Sequence, residues 1–144
     1  MLIGEYHHTI DDKKRMSLPS KFRKEMGTKV VATCGLDKCL FLYTDAEWRV
    51  VAEKLSALSM GAAEQRKFSR FMLAGAHELE IDALGRILLP DFLKEFAGLK
   101  ESVVIAGVYT RVEIWDKDAW DKSKCEVSDK VDSVAQKLGE EGFI

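Results

Sequence analysis

The hydrophobic and polar positions of this 144-residue chain fall into two runs of short alternating or β-branched segments, each broken by a polar turn and closed by an amphipathic helix. Residues 1–10 form an apolar-then-polar run that predicts an opening strand. Asp11 to Lys14 is a turn signal, because an aspartate carboxylate accepts backbone N–H groups two or three residues on. Met16-Ser17-Leu18 returns as a short strand. Pro19 to Met26 predicts a short helix: proline suits its first turn, Phe22 and Met26 fall at i, i+4, and Gly27 can stop it. Val30 to Thr33 is a β-branched run of the kind found in buried strands, and Leu40 to Tyr43 is the strand after it. Thr44-Asp45-Ala46-Glu47 has the spacing of a capping box, and Trp48, Val51, Ala52, Leu55 and Leu58 then trace one helical face.

The pattern then repeats. Ile10-Asp11-Asp12-Lys13-Lys14-Arg15-Met16-Ser17-Leu18-Pro19 is matched by Ile81-Asp82-Ala83-Leu84-Gly85-Arg86-Ile87-Leu88-Leu89-Pro90, with Ile, Asp, Arg, Leu and Pro at the same offsets. Pro90 to Ala97 predicts the second short helix, Gly98 its stop, and Val103 to Ile105 and Val112 to Trp115 the second pair of strands. Asp116 is positioned to cap a helix before Trp120. The register holds from the first turn to the closing tryptophans with one slip near Thr28. A unit of about seventy residues is longer than the roughly 20–50 of a solenoid repeat, so the chain reads as two half-domains on one plan. Between them, Gly61 interrupts the helical pattern and Ala62 to Ala74 resumes it. Ser128 to Leu138 predicts a last amphipathic helix that needs a partner surface, since an isolated helix of that length is marginal. The expected divisions are a first half at 1–58, a connecting helix at 59–75, a second half at 76–122 and a helical tail at 123–144.

The two copies differ at one turn position. Gly85 suits a left-handed residue; Lys14 in the equivalent place predicts either strain or a different turn type, together with one more positive charge at the tip.

Charge changes the picture more than composition does. A formal net charge of −2 excludes a chain that is basic overall, but distribution governs electrostatic partners as well as total. Lys13, Lys14, Arg15, Lys21, Arg23, Lys24 and Lys29 gather around the first turn, while the segment after Trp115 is acidic. A charge run is ordinarily a solvated face; a basic turn can also track phosphates, and an arginine can reach a groove edge bidentately.

Catalytic chemistry is not encoded. No serine or cysteine stands in a nucleophile-elbow context, and there is no phosphate-binding glycine motif. His7 and His8 are adjacent on a strand and point to opposite faces, so they cannot share one ligand. Asp11 and Asp82 lie in duplicated turns, which assigns them a structural role. Cys34, Cys39 and Cys125 lack metal-ligand spacing and read as reduced thiols of a cytosolic protein. No cofactor, metal or small-molecule substrate is expected. A secretory leader and a membrane span are not expected either, because no apolar run approaches the roughly 20 residues that cross a bilayer.

The motif Gly4-Glu5-Tyr6-x-His8-Thr9-Ile10-Asp11-x-Lys13-x-Arg15, followed by Pro19-x-Lys21-Phe22-Arg23, resembles the start of the bacterial MraZ family. Cys39-Leu40-Phe41, Glu47-Trp48, Glu53-Lys54-Leu55, Arg70-Phe71, Asp82-x-x-Gly85-Arg86 and Glu113-x-Trp115 carry the resemblance to about Trp120. It implies an α+β fold: a β-barrel of two pseudo-symmetric AbrB/SpoVT-type swapped-hairpin halves within one chain, with peripheral helices. It also implies a transcriptional regulator, cytoplasmic and nucleoid-associated, that forms a homo-oligomeric ring. Such a regulator binds short direct repeats in the promoter of its own division and cell-wall gene cluster. The implied partner is double-stranded promoter DNA, with Arg15 as the central contact, Lys13 beside it and Arg86 at the same position of the second motif. Lys14, Lys21 and Arg23 complete the expected DNA-binding set. Lys14 departs from the family pattern, which has glycine there. AbrB-like folds also serve as protein-interaction or antitoxin-type scaffolds, and that is the alternative reading.

Overall fold

The computed structural model describes residues 1–144. Eight strands and six helices follow in the order β1 (Leu2–Thr9), β2 (Arg15–Ser17), α1 (Ser20–Met26), β3 (Lys29–Cys34), β4 (Leu40–Tyr43), α2 (Asp45–Ser56), α3 (Ala63–Ala74), β5 (His77–Glu80), β6 (Arg86–Leu88), α4 (Asp91–Phe96), β7 (Ser102–Tyr109), β8 (Val112–Asp116), α5 (Lys117–Ser128) and α6 (Val131–Glu140). The series β1-β2-α1-β3-β4-α2 recurs as β5-β6-α4-β7-β8-α5. The helix α5 is fuller than the cap at Asp116 alone suggests, and α6 starts three residues later than the periodicity places it.

Local signals explain most of the ends. Pro19 stands one position before α1 rather than inside it, and Pro90 does the same for α4. Thr44 Oγ1 accepts the Glu47 N–H at the start of α2, and the Asp116 carboxylate accepts the Ala119 N–H at the start of α5.

Six strands form one antiparallel sheet in the order β1-β7-β8-β4-β3-β5. Exchange of the two halves maps this order onto itself read backwards, so an internal two-fold relates them. Each outer strand pairs with the opposite half: β1 with β7 from Leu2↔Tyr109 to Thr9↔Ser102, and β5 with β3 from Lys29↔Glu80 to Ala32↔His77. At the centre, β4 and β8 pair with Phe41 opposite Glu113. Neither half could bury its strands alone, because each supplies the other's neighbour.

The expected barrel is not what the strands build. The α+β class holds, but the six-stranded sheet ends on β1 and β5, each with a neighbour on one side only. The strands that could have closed it, β2 and β6, are three residues long and pair with each other instead, as a separate two-stranded sheet. A strand that short has too few ladder bonds to bridge two long edges and also hold a partner of its own.

Period-two alternation sorts the sheet's side chains into two cores. Val30, Ala32, Leu40, Leu42, Ile105, Val112 and Ile114 face one way and pack with Met16, Leu18, Phe22, Ile87, Leu89 and Leu93 beneath β2, β6, α1 and α4. Phe41, Tyr43, Val104 and Trp115 face the other way, against Leu55 of α2 and Met72 of α3. Burial on both faces is why these strands read as near-continuous apolar runs. The one buried polar side chain, Thr33, donates its hydroxyl to the Met72 carbonyl at 2.7 Å. The helix α6 buries none of its residues: Val131, Val134 and Leu138 remain exposed. No helix is long and apolar enough to cross a membrane.

Candidate nucleic-acid interface

Each duplicated turn is organised by its aspartate. Asp11 Oδ1 accepts the backbone N–H groups of Lys13 and Arg15, both at 2.9 Å, and the Asp11 carbonyl accepts Lys14 N–H at 3.0 Å. Asp82 Oδ1 accepts Leu84 and Arg86 N–H at 3.0 and 2.8 Å, and its carbonyl accepts Gly85 N–H at 2.9 Å. These donors hold both carboxyls below the usual aspartate value: the Arg15 N–H contributes most at Asp11, the Arg86 N–H most at Asp82.

Lys14 therefore forms the same turn as Gly85, with φ of 63° against 77°. The strained of the two expectations is the one realised. A left-handed non-glycine residue costs about 1–2 kcal/mol, accepted here at a position whose side chain reaches across to the other half. Lys14 Nζ lies 2.5 Å from Asp91 Oδ1 at the start of α4.

The two turns sit side by side because β2 and β6 pair across the internal two-fold, Arg15↔Leu88, Met16↔Ile87 and Ser17↔Arg86. Two crossing bonds lock the arrangement: Leu18 N–H donates to the Gly85 carbonyl at 2.9 Å, and Leu89 N–H to the Lys14 carbonyl at 3.0 Å. Met16 and Ile87 point into the core. Alternation then turns Arg15, Ser17, Arg86 and Leu88 outward, on one face of a two-stranded ribbon.

The arginines are equivalent by position but not in freedom. Arg86 Nε is held by Asp82 Oδ2 at 2.9 Å, and its side chain is 26% exposed. Arg15 Nε is itself buried, 3.5 Å from Asp11 Oδ2 in a looser ion pair and without a hydrogen bond, within a side chain 31% exposed as a whole. Arg15 is the less tethered of the pair.

The remaining expected residues separate. Lys13 is exposed at the tip of the first turn and Lys21 on the surface of α1. Lys14 is exposed beside Lys13 and ion-paired with Asp91 at the surface. Arg23 is half-buried: its Nε donates to the Leu18 carbonyl at 2.8 Å, and its guanidinium lies over Gly85, in the space a side chain there would need. Arg23 thus supports the second turn from the first half. The structure gathers Lys13, Lys14, Arg15 and Arg86 about one ribbon. Sequence reasoning passed over Ser17 and Leu88, which share the outward face with the arginines. The alternation in Arg15-Met16-Ser17 and Arg86-Ile87-Leu88 was the available signal.

The comparisons with known proteins agree with this doubled architecture. The family model described as "MraZ protein, putative antitoxin-like" matches the chain twice, over residues 1–71 and 72–137. A curated relative from Caldicellulosiruptor saccharolyticus, named Transcriptional regulator MraZ, is 49% identical over 99% of this chain and 100% of its own length. Relatives of the same name from Moorella thermoacetica and Acetivibrio thermocellus are 49% and 46% identical, each over 96% of both chains. Two copies of the family pattern in one chain, and that identity over nearly the whole length, mean that this chain belongs to the MraZ family.

Proposed function

We propose that the chain is a DNA-binding transcriptional regulator, not an enzyme, and that the β2–β6 ribbon is its DNA-contacting element. The observation that carries this reading is the pair of repeat-equivalent arginines, Arg15 and Arg86, on the outward face of one ribbon beside a lysine-tipped turn. The major groove of B-DNA admits a two-stranded β-ribbon, and an arginine pairs bidentately with guanine O6 and N7. Lys13, at the tip, is placed to meet a phosphate, which positions without carrying sequence information. Arg15 is the central contact, Lys14 and Lys21 flank it, and Arg23 acts through the second turn. The names of the relatives support the regulator. The cross-paired strands support reading each half as a swapped-hairpin unit of the AbrB/SpoVT type.

One chain brings few cations, so its grip on DNA is weak and salt-sensitive, with a log-log slope of about −0.9 per phosphate neutralised. A ring of copies that engages short direct repeats together raises affinity through effective concentration. The repeats then lie about 10 bp apart, one helical turn. The protein's own upstream DNA is the partner, which places it in the cytoplasm with the nucleoid. The exposed apolar face of α6 favours a second reading, a protein-interaction or antitoxin-type scaffold.

The deciding experiment is a binding titration of the protein's own upstream DNA at two salt concentrations, with wild type and Arg15→Ala. Salt-dependent binding that Arg15→Ala abolishes, with the assembly mass unchanged, supports the regulator. Absence of binding at low salt supports the scaffold.

A further inference from the structure

The ribbon is two-fold symmetric in its backbone register and in the positions of its two arginines, but not in what stands beside them. Register sets Arg15 opposite Leu88 and Arg86 opposite Ser17. Ser17 and Leu88 are themselves equivalent positions of the two repeats. One is a half-buried hydroxyl; the other is an isobutyl group 58% exposed. The turn tips differ in the same sense, Lys13 in the first and Leu84, 64% exposed, in the second. A lone exposed leucine is unremarkable on most surfaces. Leu88 differs in its place: it lies in register with the least tethered arginine of the ribbon, and it belongs to neither core. Ile87 beside it does the packing.

Only one base presents an apolar group in the major groove. Thymine carries a C5-methyl there, whereas a hydroxyl can serve any base that offers a donor or an acceptor. We propose that Leu88 is a specificity-determining residue that contacts a thymine methyl next to the base met by Arg15. Ser17, beside Arg86, leaves the other end of the site indifferent to that methyl. The proposal rests on the ribbon's being the DNA-contacting element. Its consequence is directional: a chain with a two-fold backbone reads a site with distinguishable ends, so successive copies read sites that all point the same way.

The test uses the full-length protein and its own upstream DNA, with each thymine replaced in turn by deoxyuridine, which removes the methyl and nothing else. Affinities are measured by fluorescence anisotropy for wild type, Leu88→Ser and Leu88→Met, and the mass of each free assembly by sedimentation. Wild type is expected to lose about four-fold in affinity at one thymine per site, the worth of one buried methyl group. Leu88→Met is expected to keep that loss. Leu88→Ser is expected to bind methylated and unmethylated sites alike, with the assembly mass of wild type. The proposal is overturned if no thymine methyl matters to wild type, or if Leu88→Ser retains the same sensitivity. A changed assembly mass in Leu88→Ser also overturns it, because Leu88 would then be a contact between copies. Tight but methyl-indifferent binding removes this proposal alone; failure of wild type to bind the DNA at all removes the reading beneath it as well.

Discussion

Gly85→Ala isolates the contact that makes the two turns unlike. Gly85 has φ of 77°, and a Cβ added there falls on the Nε and Cζ of Arg23. Arg23 cannot simply swing aside, because its Nε donates to the Leu18 carbonyl at 2.8 Å. Alanine in the left-handed region costs about 1–2 kcal/mol. Its smaller unfolded ensemble returns about 0.4–1 kcal/mol. Losing a charged donor from a half-buried carbonyl costs about 1.5–3 kcal/mol. The substitution should therefore destabilise by about 2–4 kcal/mol. In an Arg23→Ala background the last contribution is already gone, and the same change should cost about 1 kcal/mol. The assay is a double-mutant cycle of four urea titrations, all at one protein concentration so that self-association does not shift the midpoints. Equal costs of Gly85→Ala in the two backgrounds would refute the assignment of Arg23 to the second turn.

The other predictions concern charge, pH and thiols. Lys13→Ala should weaken binding to all DNA sequences by a similar factor and make the log-log salt slope shallower by about 0.9, with the urea midpoint unchanged; a sequence-selective loss would contradict a phosphate contact. Asp11 and Asp82 have folded-state values below the ordinary 3.8, so the unfolded chain binds their protons first as pH falls. The stability they contribute is present above the unfolded value and lost as pH drops through the folded ones, so the urea midpoint should fall below about pH 4. That fall should be shallower in Asp11→Asn/Asp82→Asn, which keeps an acceptor oxygen at each turn but cannot titrate; identical pH profiles would count against the aspartates. Burial pushes the Cys39 thiol up to about 12 and raises Cys34, whereas Cys125 is exposed. A thiol reagent should label Cys125 alone in the native protein and all three cysteines after unfolding, as peptide mapping would show.

The amino-acid sequence by itself determined what acts over a few residues. Asp11 and Asp82 announce their turns because an aspartate carboxylate meets backbone N–H groups two and four residues on. Pro19, Thr44 and Asp116 mark helix starts because the orphan N–H groups they flank or cap are local. The matched spacing of the two copies declared a chain built of equivalent halves. Tertiary structure decided which strands meet. That β1 pairs with β7, β5 with β3 and β2 with β6 depends on encounters between halves, and no local pattern specifies a partner. The same cause left the barrel open, since closure would need β2 and β6 to span the edges they leave free. It also withdrew Arg23 from the basic surface: a glycine in the distant repeat left a space that this side chain fills. Charge can be counted along a chain, but whether a cation faces solvent or a neighbour is settled by the packing of residues far apart in the sequence.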